Sequence, residues 1–274
     1  MDYVKPAEVA STMLNTARHK LETPPLDVFI RGGLAGAILA AATSLSFTGA
    51  VETKLPVFGA LLFPVGIILI ALLGLDLLTS SLGFLPLPWV EKEVSAGAVL
   101  ANWIWVFIAN LIGSVAYGGM LVLALTNFGT SAPEGGVANM VIAVAEHKTL
   151  AYEAHGFAGF LTAFVKAIVC NWMVCLAFVT ALTSTSTIGK IVCAYMPIFI
   201  FFAQGYEHSV VNMFIIPTGM MLGAKITVGE WWIWNQIPVT LGNLIGGFVF
   251  TGLALYITHR PRVAAPAPLT VPAE

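Results

Sequence analysis

Six apolar stretches follow one another along the chain, near residues 28–50, 56–75, 98–125, 157–182, 191–222 and 237–258, with short polar connections between them. Each is continuously apolar rather than alternating, which speaks against the strands of a membrane barrel and predicts helices. About 20 residues of helix cross the roughly 30 Å of bilayer hydrocarbon. The pattern therefore predicts an all-α integral membrane protein with six transmembrane helices in residues 28–258. Ahead of them, Val9, Met13 and Ala17 recur at helical spacing between Pro6 and Leu21, so residues 1–27 read as a short amphipathic helix lying on the membrane surface. Behind them, residues 259–274 end in PRVAAPAPLTVPAE and read as a disordered tail.

Two of the six stretches are wrong for simple helices. Residues 191–222 would form a helix about 48 Å long, too long for the hydrocarbon unless strongly tilted. Gln204-Gly205 lies at its midpoint, where glycine lets the backbone leave helical geometry, and Ser209 is a candidate N-cap for a second half-helix. The second stretch runs into LDLLTSSLGFLPLPW, whose Asp76, Thr79, Ser80, Ser81 and Gly83, with prolines on either side, do not continue a regular helix. Breaks in the second and fifth of six spans occupy equivalent places if the chain is two halves of three spans. Three is odd, so the halves insert with opposite topology, and paired broken helices in inverted repeats mark a transport site at the midplane. Such backbone survives at membrane depth only when it is buried in protein or lines a water-filled cavity.

Composition agrees. Hydrophobic residues make up 58% of the 274 and charged residues 9%, against about 25% charged in soluble domains, so a soluble fold is excluded. A net charge of −2 with no basic run gives no sign of a nucleic-acid partner. The first 27 residues carry seven charges and no apolar core of a leader, so no cleavable signal is expected. With a cytoplasmic N-terminus, Lys5, Arg18, Lys20, Arg31, Lys92, Lys190, Arg260 and Arg262 share that side, leaving Lys54, Lys148 and Lys225 opposite and Lys166 inside a span. That bias follows the positive-inside rule and places both termini on the cytoplasmic side of a cell membrane. Cys170, Cys175 and Cys193 lie in apolar segments and read as packing residues.

The chemistry concentrates in GYEHSVVNMF, residues 205–214. A charge at the bilayer centre costs about 2.5–3.5 kcal/mol on insertion scales, so Glu207 and His208 need partners or a function. One reading is a polar pair that joins helices. The other is a pore: a half-helix starting near His208 aims its positive end at an arriving anion and disfavours a second positive charge, leaving a neutral imidazole able to donate a hydrogen bond or a proton. Glu207 then orients the loop, because a carboxylate facing the pore repels the ion. Adjacent residues point about 100° apart on a helix, and no second His, Cys or carboxylate recurs at ligand spacing. Neither an enzyme, a metal site nor a cofactor is therefore expected.

GYEHSVVNMF, followed by IPTG, resembles the glycine-aromatic-Glu-His-Ser-x-x-Asn-Met-Phe signature of the formate/nitrite transporter family, and so do LDLLTSS from Leu75, AEHK from Ala145, CNWMVCLA from Cys170 and IPVTLGNLIGG from Ile237. The resemblance spans residues 28–258. It implies an aquaporin-like fold, a homopentamer with one pore per protomer, and transport of a small monovalent anion, formate or nitrite. Bicarbonate, hydrosulfide or a neutral solute such as water or ammonia are the alternatives.

By the same resemblance His208 is the central pore histidine, faced by Thr79 from a mobile loop. Phe63 and Phe201 form one hydrophobic slit; Ile67 and Leu77 form the other. Asn171 and Asn243 lie near the central chamber, with Asn212 of the signature beside them, and Lys148 of AEHK gathers anions at the outer vestibule. Leu78 stands where the family often has phenylalanine, which makes the gating plug smaller. The chain is about seven residues longer between AEHK and CN, roughly two helical turns, so His155 or Lys166 is a candidate to replace Lys148. Gly32 and Gly36, four apart, suit close helix packing within or between protomers.

Overall fold

The computed structural model describes residues 2–133 and 135–260, so the tail beyond Arg260 lies outside the described residues. Helix α1 (Pro6–Glu22) opens on proline, which costs nothing at a position whose N–H has no partner, and buries Val9, Ala10, Met13, Leu14 and Ala17 on one face. Helix α2 (Pro25–Thr53) follows. The second apolar stretch is divided into α3 (Pro56–Leu62) and α4 (Pro64–Leu72), because Pro64 lacks the N–H that continues the ladder and the helix breaks at Phe63. After five residues the chain resumes as α5 (Leu78–Phe84) and α6 (Pro86–Val90). Helix α7 (Ala96–Leu125) is capped by the Ser95 hydroxyl, which accepts the Ala98 N–H at 3.2 Å.

The connection between the third and fourth apolar stretches is itself helical, as α8 (Gly136–His147) and α9 (Leu150–Glu153). The sequence pattern did not separate this amphipathic piece from a loop, because it is short and not continuously apolar. Helix α10 (Gly156–Leu182) comes next. The long fifth stretch is two helices, α11 (Thr187–Ala203) and α12 (Ser209–Leu222), parted at Gly205 with φ +65°, a region glycine enters without strain. The last run, Val228–His259, is continuous: α13 (Val228–Trp231), a π-helical segment Trp232–Gln236, α14 (Ile237–Gly247), a second π-helical segment Phe248–Leu253, and α15 (Ala254–His259).

Among the described residues, four helices are long and apolar enough to cross a membrane: Pro25–Thr53, Ala96–Leu125, Gly156–Leu182 and Val228–His259. Pro56–Leu72, Thr187–Ala203 and Ser209–Leu222 are shorter apolar helices on either side of the expected breaks.

Helix α2 packs along α7, and α10 along α14. Both pairs approach at backbone distance. A Cβ on Gly36 would collide with the Asn110 carbonyl, and one on Gly246 with the Ile168 carbonyl. The small residues of the first span thus serve packing within the protomer. Helix α12 is buried almost throughout, held by α2, α7 and α8. Ile30, Leu34, Ile104, Ile108, Leu161 and Leu241 face outward; an apolar outer surface suits a lipid solvent.

Candidate functional site

Two breaks meet at the centre of this bundle. At the first, the backbone of Asp76 and Leu78 is held by Asn110 of α7: its carbonyl accepts the Leu78 N–H at 2.9 Å, and its amide donates to Asp76 O at 2.9 Å and Gly32 O at 2.8 Å. At the second, Asn243 of α14 repeats the pattern. Its carbonyl accepts the Ser209 N–H at 2.9 Å, and its amide donates to Glu207 O at 2.9 Å and Ala167 O at 2.8 Å. A buried amide side chain replaces the backbone bonds that each break gives up. Asn171 of α10 ties the breaks together, donating to Thr79 O at 3.0 Å and Asn243 O at 2.7 Å. Asn171 and Asn243 thus spend their amides on backbone carbonyls.

His208, rather than the expected Ser209, caps α12. Its Nδ1 accepts the Val211 N–H at 3.2 Å, so the ring proton of the neutral imidazole sits on Nε2. That nitrogen lies 3.1 Å from Thr79 Oγ1, and Nε2–H donates to the hydroxyl. The Ser209 hydroxyl beside it is buried and has no hydrogen-bond partner among the described residues.

Aromatic rings lie over one side of the histidine. The Phe201 ring is 5.8 Å from the imidazole and nearly parallel to it, and Phe63 meets Phe201 edge-on at 5.7 Å. Phe202, which the sequence reading missed, stacks on Phe63 at 3.8 Å. Ile67 and Leu77 are fully buried in the same core. Leu78 is buried in that core as well. It lines an outward groove of about 310 Å³ with Trp103, Phe107 and Leu244, between α5, α7 and α14.

Glu207 is 1% exposed and fully partnered. Tyr152 donates to Oε1 at 2.7 Å; Asn212 and Asn235 donate to Oε2 at 2.8 and 3.3 Å. Lys148 reaches this cluster: its Nζ is 2.9 Å from Glu207 Oε2, and its side chain is 11% exposed. The end of α8 carries it inward, where Asn235 also bonds its carbonyl at 2.9 Å. His155 is exposed at the start of α10, and Lys166 lies over the Tyr152 ring at 5.6 Å; the residue paired with Glu207 is Lys148. Across the bundle Lys20 of α1 pairs with the buried Asp76 at 2.6 Å. The signal for that pair was present in the sequence as Asp76-Leu77-Leu78, which stands to its break as Glu207-His208-Ser209 stands to the other.

The model of the formate/nitrite transporter family matches residues 7–257, nearly the whole described chain. The chain belongs to the formate/nitrite transporter family. Its relatives include a probable formate transporter of Methanothermobacter thermautotrophicus, 36% identical over an alignment of 273 positions that covers 94% of this chain and 97% of the relative. The formate channel FocA of Haemophilus influenzae is 31% identical, covering 90% of this chain and 92% of its own. Among solved structures, a pentameric formate channel with formate bound superposes with a TM-score of 0.69 at 26% identity, over 86% of this chain and 97% of that one. A second FNT family ion channel gives a TM-score of 0.74 at 25% identity, over 92% and 98%. The helical architecture of the described residues agrees with that membership.

Proposed function

We propose that the protein conducts small monovalent anions, formate or nitrite, along a path past His208, with Phe63 and Phe201 as one dry constriction, and Ile67 and Leu77 as the other. The observation that carries this reading is the His208 Nε2–H held by Thr79 where the two breaks meet, directly under the Phe201 ring. An N–H on a buried, aromatic-flanked ring is the donor that a desolvated oxyanion needs, and moving charge through apolar rings is costly without one. The positive end of α12 starts at the same residue and adds its dipole. The relatives named for formate favour that ion.

On this reading Lys148 draws the anion inward and Thr79 yields the Nε2–H to it. A proton from the outer solvent binds one oxygen of formate to give formic acid, which crosses the slit and releases the proton beyond it. Asn171, Asn212 and Asn243 fix the breaks and Glu207 rather than touch the ion.

The paired asparagines and the matching Lys20–Asp76 and Lys148–Glu207 pairs support six spans in two inverted repeats, of the kind that aquaporins have. The pentameric relative supports a homopentamer with one pore per protomer. We place both termini on the cytoplasmic side of the cell membrane, with α1 on its surface, as the distribution of lysines and arginines demands.

The test is uptake of formate, nitrite, bicarbonate and chloride into proteoliposomes between about pH 5 and about pH 7. Selective oxyanion flux that falls in His208→Asn, together with its pH dependence, is expected. Flux and pH profile unchanged in that variant, or passage of water or ammonia in place of anions, would overturn the reading.

A further inference from the structure

Glu207 takes three hydrogen bonds from neutral groups, and this leaves Lys148 with N–H donors to spare. A buried ion pair is retained at tolerable cost only when further hydrogen bonds satisfy its oxygens. Here Tyr152, Asn212 and Asn235 supply them, while Lys148 balances the charge at Oε2. An ammonium has three N–H donors, and a single-oxygen contact leaves others for a passing anion.

Tyr152 is built into its place. It comes from α9, between AEHK and CN, and is 5% exposed. Gly159 of α10 approaches its backbone so closely that any Cβ there would collide with the Tyr152 carbonyl. Lys166 Nζ sits over its ring at 5.6 Å, a cation–π contact that helps to hold the ring.

We propose that Tyr152 is a positioning residue for anion capture: by occupying Oε1 of Glu207, its hydroxyl keeps the carboxylate from closing both oxygens on Lys148, so the ammonium stays available to the incoming ion. The proposal rests on Lys148 lying along the transport path. Oε1 has no other hydrogen-bond donor among the described residues. Without the hydroxyl, the nearest cation able to satisfy that oxygen is Lys148 itself.

The experiment measures initial formate uptake against formate concentration for the full-length protein and for Tyr152→Phe, Lys148→Met and the double variant. A hydrogen bond to a charged group is worth enough that Tyr152→Phe is expected to raise the half-saturating concentration roughly three- to tenfold, with the maximal rate within about twofold. Its uptake should also depend less on ionic strength, since the attraction that salt screens has been weakened. The double variant should match Lys148→Met, because Tyr152 acts through the lysine. An unchanged half-saturation in Tyr152→Phe, a fall in maximal rate alone, or independent addition of the two effects would overturn the proposal. If Lys148→Met leaves half-saturation unchanged, the pathway reading itself fails. Should Tyr152→Phe not assemble, Lys166→Met keeps the hydroxyl but loosens the ring; a smaller rise in half-saturation supports the proposal and no rise refutes it.

Discussion

His208 is held by both ring nitrogens, so its chemistry depends on two single contacts. Nδ1 caps α12 and Nε2–H meets Thr79. Replacing Thr79 by valine keeps the shape and removes the acceptor, leaving a buried N–H unpaired at a cost of about 1–3 kcal/mol. Thr79→Val is expected to lower anion flux tenfold or more and to depress the thermal midpoint in detergent, whereas Thr79→Ser, which keeps the oxygen, should stay near the parent in both. Equal flux from the valine and serine variants would show that the hydroxyl does not matter. At this scale the sequence revealed the residues that share a motif: Glu207, His208, Asn212, and Thr79 within LDLLTSS. It concealed Tyr152, Asn235 and Lys20, because each reaches a buried carboxylate from a helix far away in the chain, and no local pattern says which polar side chain of a distant element will arrive. Asn235 lies in a π-helical turn, an irregularity that re-aims a side chain and leaves no mark in hydrophobic periodicity.

The two breaks were legible as elements because prolines, glycine and polar residues interrupted stretches that were otherwise long and apolar. What holds them open was not, since Asn110 and Asn243 look in sequence like isolated amides in apolar helices. Each bonds three backbone groups, two of them at its break. Leucine at either position fills about the same volume and satisfies none of them, which strands buried N–H and C=O groups at about 1–3 kcal/mol apiece. Asn110→Leu and Asn243→Leu are therefore expected to lower the thermal midpoint by similar amounts, although only Asn243 adjoins the histidine. The check is paired thermal unfolding of the purified variants. A large loss in one and none in the other would mean that the two breaks are not equivalent and that the inverted-repeat reading needs revision.

Across the whole molecule, the N-terminal segment is tied to the opposite half of the chain. Oδ1 of Asp2 accepts from the Thr185 N–H at 2.8 Å, the Thr185 hydroxyl at 2.7 Å and the Ser186 N–H at 2.7 Å, and Oδ2 accepts from the Ser184 hydroxyl at 2.7 Å. Val4 N–H adds a bond to Thr183 O at 2.8 Å, and Arg18 pairs with Glu93 further along α1. Bonds from the Thr185 and Ser184 hydroxyls, and then from the two amides, hold the Asp2 carboxyl down at about 2, against an ordinary 3.8. A carboxylate whose pKa is lowered by folding stabilises the fold fully above its unfolded value and loses that contribution only as pH falls through the folded one. The latch is thus closed throughout the range from about pH 5 to about pH 7 and opens only in strong acid. Asp2→Asn should speed amide exchange at Thr185, Ser186 and the first turn of α1, yet leave the pH profile of anion flux where it was. His208→Asn should do the reverse, altering the profile while the exchange near residue 185 stays slow. If Asp2→Asn moves the flux profile within that window, the pH response originates in the docking of the N-terminal segment and not at the hydrogen bond of the histidine.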